Sequence, residues 1–106
     1  MDIADWRKKI DALDLRLVEL LNERARLAQE IGKLKRNTKM PIYEPDREKL
    51  IFEKVRNANQ GPLPDHELRH IYERIIDVMR KIQQVEIQPQ SQDNRNSTEF
   101  DIEVND

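Results

Sequence analysis

Cysteine is absent from this chain, which excludes disulfide bonds and thiolate metal sites as a means of stabilising it. The two histidines, His66 and His70, have no ligand partners beyond each other and read as a solvated pair, so no metal is expected. No apolar run approaches the roughly 20 residues needed to span a bilayer. The opening stretch MDIADWRKK lacks an apolar signal segment, and a cytoplasmic protein without membrane contact is expected. Aromatic residues make up only 5% of the chain and its cations are interleaved with acids, which is far from a nucleic-acid footprint. A chain of 106 residues has room for one small core at most. With no cross-link to reinforce that core, self-association is the remaining route to a larger one.

Helical periodicity, in contrast, is abundant. From Trp6 the large apolar residues recur at Ile10, Leu13, Leu17, Leu20, Leu27, Ile31 and Leu34, a four-three spacing that marks one face of a long helix. The seam position between Leu20 and Leu27 is Arg24. A cation on a buried stripe must find anions or reach water, because an unpaired buried charge is strongly unfavourable. Lys35 repeats the oddity 11 residues later, and at about 100° per residue it returns to within about 20° of the Arg24 direction. The pair points to an interior site for an anion.

The pattern predicts an all-α chain of three helices and a tail. The first runs from about Asp2 to Thr38 with no proline inside it and Gly32 as its weak point. The segment KMPIY breaks it. Glu44-Pro45-Asp46-Arg47-Glu48 then reads as a helix start, with proline in the first turn and acids near the positive end of the dipole. Leu50, Ile51, Val55 and Ala58 form the apolar side of this second helix, and Asn59-Gln60-Gly61-Pro62 ends it. The third begins near Pro64 and Asp65 and carries Leu68, Ile71, Ile75, Val78 and Ile82 on one face, with Tyr72, Ile76, Met79 and Gln83 on the adjacent stripe.

The net charge is −2, but Val85 to Asp106 holds six acids and one arginine, so residues 1–84 carry +3. A mildly basic folded unit at 1–85 and an acidic, flexible tail at 86–106 are expected, with Phe100 to Val104 as a short docking segment. A first helix of about 36 residues is about 54 Å long, too long for a compact unit of this size to cover. An antiparallel second copy would cover it, giving an intertwined helical homodimer. Arg7 precedes Arg24 by 17 residues, about 25 Å along the axis. It cannot join that site in its own chain, but it can complete the pocket of the other subunit.

The run WRKKIDALDLRLVELLNERARLAQEIGKLK, followed by PIYEPDRE and IIDVMRKIQQ, resembles the all-helical chorismate mutases of the bacterial shikimate pathway over about residues 5–84. The resemblance implies a cofactor-free rearrangement of chorismate, a dicarboxylate, to prephenate. It gives Arg7, Arg24, Lys35, Arg47, Glu48 and Gln83 functional positions, with Arg7 reaching across the dimer. Glu44 stands where the bacterial prototype has aspartate, which keeps the charge. Met79 stands where it has serine, which loses a hydroxyl. For this chemistry Arg7, Arg24 and Arg47 would grip carboxylates, and Lys35 and Gln83 would donate to the ether oxygen as negative charge grows there. Glu48 would accept the ring hydroxyl's hydrogen bond and keep Lys35 charged.

Each residue also has a plainer reading. Arg24 fits a register-setting insertion in a helical seam, Lys35 a cation near a helix end, and Arg47 with Glu48 a solvated first turn. Gln83 fits a surface residue of a fraying helix, and Arg7 an exposed base. It is the joint pattern that points to a site. Two other functions share it: isochorismate pyruvate lyase activity, and a non-catalytic chorismate- or prephenate-binding module that contacts a pathway synthase through the acidic tail. The extended, charged connection from Lys39 to Arg47 favours the mutases, and retention of both ether-oxygen donors favours catalysis.

Overall fold

The computed structural model describes residues 1–87, and among them all regular structure is helical. Helix α1 spans Ile3–Arg36, α2 spans Pro45–Ala58 and α3 spans Asp65–Ile87. The start of α1 is fixed by a reciprocal cap: Asp5 N–H donates to Asp2 Oδ1 at 3.0 Å and Asp2 N–H donates to Asp5 Oδ2 at 3.1 Å. Such a box satisfies two backbone donors that the first turn leaves orphaned. At the other end Thr38 N–H donates to the Lys35 carbonyl at 3.1 Å, and the chain leaves the helix axis there. Pro45 takes the first position of α2, where a missing N–H costs nothing. The α2–α3 turn is tied by Asn59, whose side-chain amide donates to Leu63 O at 2.8 Å and to Asp65 Oδ1 at 2.7 Å. Gly61 there has φ of +74°, a left-handed conformation that glycine adopts without steric cost.

Helix α3 is the middle element and packs on both α1 and α2. Its 23 residues reach about 35 Å, against about 51 Å for the 34-residue α1. It therefore covers only the C-terminal part of the long helix, at Ala28, Gly32 and Lys35, which are buried. Gly32 sits at the closest approach. A Cβ built there would lie 3.0 Å from Gln83 Cα and 3.0 Å from Glu86 Cβ, so a hydrogen at this position lets the two backbones meet. The weak point in the helix is the point of tightest helix packing.

The apolar seam of α1 is left uncovered within the chain, as its length leads one to expect: its eight residues are between 46% exposed, at Ile31, and 69% exposed, at Leu34. The reason is that α3 approaches α1 along the flank at Ala28, Gly32 and Lys35 and leaves the seam itself uncovered. On α3 the buried stripe is the one with Ile76 and Met79, whereas Ile71 and Val78 of the other face remain well exposed. Helix α3 also continues to Ile87, two residues past the boundary expected at 85. The expectations for the tail beyond it, including Phe100 to Val104, lie outside the described residues. No helix among the described residues is long and apolar enough to cross a membrane.

Candidate active site

The centre of the site is Lys35, buried at 5% exposure on the last turn of α1. A buried ammonium is unfavourable unless its three donors find partners, and three acceptors surround it. Its Nζ donates to Gln83 Oε1 at 2.9 Å, lies 3.2 Å from Glu44 Oε1, and makes a longer contact of 3.5 Å with the Ile42 carbonyl. The three come from α3, from the residue before α2 and from the connection between α1 and α2. Glu44 is the N-cap of α2 yet makes no side-chain cap bond. Its carboxylate reaches back to Lys35 instead.

This revises the expected pairing, in which Glu48 keeps Lys35 charged. Glu48 lies one turn further into α2, so its carboxylate projects toward α3. There Oε2 stands 3.0 Å from Arg80 Nε, with the Glu48 side chain only 17% exposed. The Nε hydrogen is not aimed at the carboxylate, and Nε makes no hydrogen bond; the contact is electrostatic. Arg80 is further held by Asp77, with Nη2 donating to Oδ1 at 2.8 Å, and by the Tyr43 ring, 5.4 Å from its Cζ.

Lys35, Ile42, Glu44, Glu48, Arg80 and Gln83 line one cavity of about 400 Å³ at the junction of the three helices. Seven of the eight residues singled out from the sequence meet there: Arg24 and Lys35 from α1, Glu44, Arg47 and Glu48 around the start of α2, and Met79 and Gln83 from α3. Arg24 and Lys35 share the wall as their spacing requires. Met79 is 6% exposed and presents a thioether. The eighth, Arg7, is exposed near the far end of α1 and is not among the lining residues.

Seven further residues line the cavity that were not singled out as site residues. Ile42 and Ile51 add apolar wall, and Arg80 adds a cation. Arg80 had a readable signal. Positions 76, 79, 80 and 83 share one helical face, so any stripe that buries Ile76 and Met79 and directs Gln83 inward also turns Arg80 inward. The histidines lie elsewhere, exposed beside Glu67 and Glu73.

Three helices around a pocket of guanidinium, ammonium, amide and carboxylate groups define an all-helical protein with a cavity suited to a small anion. The chorismate mutase type II family model matches residues 6–84, and the chain belongs to that family. It is 43% identical over 79 residues to the bifunctional chorismate mutase/prephenate dehydratase of Aquifex aeolicus, an alignment covering 71% of this chain and 22% of that protein. The chain thus spans about a fifth of that relative's length. It is 39% identical over 54 residues to the chorismate mutase of Methanocaldococcus jannaschii, covering 51% of this chain and 54% of that one. Among solved structures, the form II chorismate mutase of Thermus thermophilus superposes with a TM-score of 0.75 at 33% identity, over 77% of this chain and 93% of that one. The Helicobacter pylori chorismate mutase in complex with prephenate gives 0.73 at 30% identity, over 80% and 92%.

Proposed function

We propose that this chain is a cofactor-free chorismate mutase. The observation that carries the reading is the contact of Lys35 with Gln83 on the wall of a cavity that also holds Arg24 and Arg47. Chorismate to prephenate breaks one C–O bond and forms one C–C bond within one molecule, so no nucleophile or proton shuttle is required. The enzyme has to hold the dicarboxylate in its reactive conformer and stabilise charge on the ether oxygen. Arg24 and Arg47 bind carboxylate, for which the guanidinium fork is suited. Lys35 anchors the carbonyl end of the Gln83 amide, so the amide NH2 is the end left to donate to substrate. Lys35 itself turns a proton to the ether oxygen by giving up its longest contact, the one to Ile42. Glu44 balances the ammonium, and Glu48 accepts from the ring hydroxyl. Met79 forms an apolar wall where a hydroxyl would otherwise make a contact.

The unit of function in this proposal is a cytoplasmic antiparallel homodimer. Its support is the uncovered seam, because an exposed row of Trp, Ile and Leu over about 42 Å of helix is a surface that association buries. The second copy supplies Arg7 to each pocket, about 25 Å from the Arg24 of its own chain. In this proposal the acidic segment 86–106 takes no part in catalysis and contacts another pathway enzyme. Incubating the protein with chorismate and following chorismate, prephenate and pyruvate together tests the reading. Prephenate formed in step with chorismate loss supports it; pyruvate identifies a lyase, and binding without turnover identifies a regulatory module.

A further inference from the structure

Arg80 belongs to none of the roles assigned above, yet it is as heavily tethered as Lys35. One guanidinium meets Glu48 of α2, Asp77 of its own helix and the Tyr43 ring of the α1–α2 connection. Three elements therefore fix its position, and the only one of its partners that also lines the cavity is Glu48. The geometry of that contact is informative. Arg80 Nε is 3.0 Å from Glu48 Oε2 but makes no hydrogen bond. The charge of the carboxylate is balanced without its lone pairs being taken by the Nε hydrogen. A carboxylate held in this way stays able to accept a hydrogen bond from a ligand hydroxyl.

We propose that Arg80 is a positioning residue that aims Glu48 at the substrate hydroxyl. The proposal rests on the chorismate mutase reading and deepens it. Glu48 stands at the end of a flexible side chain on a helix with no fully buried residue. Nothing in its own helix fixes its carboxylate, so an external cation must. Asp77 and Tyr43 hold Arg80 still, and Arg80 holds Glu48 still. The ion pair also limits repulsion between Glu48 and an anionic ligand drawn in by Arg24, Arg47 and Lys35.

A double-mutant cycle tests this, using Arg80→Gln, Glu48→Gln, the double variant and Arg80→Lys, each with kcat, KM and melting temperature measured. Arg80→Gln lowers kcat/KM by about tenfold in the parent and by less than about twofold in the Glu48→Gln background, because a residue acting through another has no effect once the other is gone. Arg80→Lys restores most of the loss, since it keeps the charge beside Glu48. Where Glu48→Gln turns over too slowly, the dissociation constant of prephenate closes the same cycle. If Arg80→Gln costs the same factor in both backgrounds, or costs nothing in the parent, the proposal is overturned. A fall in melting temperature that accounts for the activity loss overturns it as well. A parent protein that does not convert chorismate overturns the functional reading and this proposal with it, while an active parent with additive variants overturns Arg80 alone.

Discussion

Replacing Gly32 by alanine tests how closely catalysis depends on the α1–α3 contact. The added Cβ meets Gln83 Cα and Glu86 Cβ, each at 3.0 Å, and the Gln83 carbonyl oxygen at 3.2 Å. Both carbons are set by backbone and cannot swing aside. Carbon atoms rest at about 3.5–4.0 Å, so α3 must give by a few tenths of an ångström at the position of Gln83. The Lys35–Gln83 contact then lengthens from 2.9 Å toward the roughly 3.2 Å limit of a sound hydrogen bond. Overpacking of this kind costs about 1–3 kcal/mol, and the better helix propensity of alanine returns about 1 kcal/mol. The net change in stability is therefore about 0–2 kcal/mol. Turnover is far more sensitive, because a displacement of about 1 Å at a reacting group can cost about a hundredfold. With a shift of a few tenths of an ångström, Gly32→Ala should lower kcat by about threefold to tenfold with only a small shift in melting temperature. Steady-state kinetics beside a thermal melt measures both, and an alanine variant with the parent's kcat would refute the reasoning.

Three further expectations follow from the same geometry. The protein should sediment as a dimer at micromolar concentration, with a melting temperature that rises with protein concentration; a folded, active monomer would contradict the uncovered seam as an interface. Gln83→Glu should be active only toward the acid end of a pH–rate profile, because a carboxyl donates only when protonated and Lys35 beside it favours the ionised form. A Gln83→Glu profile that matches the parent's would remove Gln83 from the ether oxygen. Residues 88–106 lie beyond the family match at 6–84 and hold none of the positions assigned to the site, so their deletion should leave kcat within about twofold of the parent, and a tenfold loss on truncation would show that the tail takes part in the site.

The helices were legible because their signals are local. Pro45 after an acid, Gly61 in a turn and the four-three apolar spacing each act within a few residues, and the observed bounds fall within about two residues of those expected. The site was legible through one long-range argument, the return of Lys35 to the direction of Arg24, together with the family resemblance. Pairing was not legible. Whether Glu44 or Glu48 meets Lys35 depends on where the start of α2 lies between α1 and α3, which tertiary packing sets and spacing along α2 does not. That one chain leaves the α1 seam uncovered was legible from the length of the helix, since periodicity alone identifies an apolar face without saying what covers it.

The most direct test of a chorismate pocket completed across two subunits uses Arg7→Ala and Arg24→Ala. Each variant alone should be nearly inactive, because every pocket lacks one arginine. Refolded together in equal amounts, half the dimers would be mixed, and each mixed dimer would hold one pocket with both arginines. The mixture should then recover about one quarter of the parent's chorismate turnover. A mixture no more active than its components, or an Arg7→Ala variant that is fully active by itself, would contradict the account.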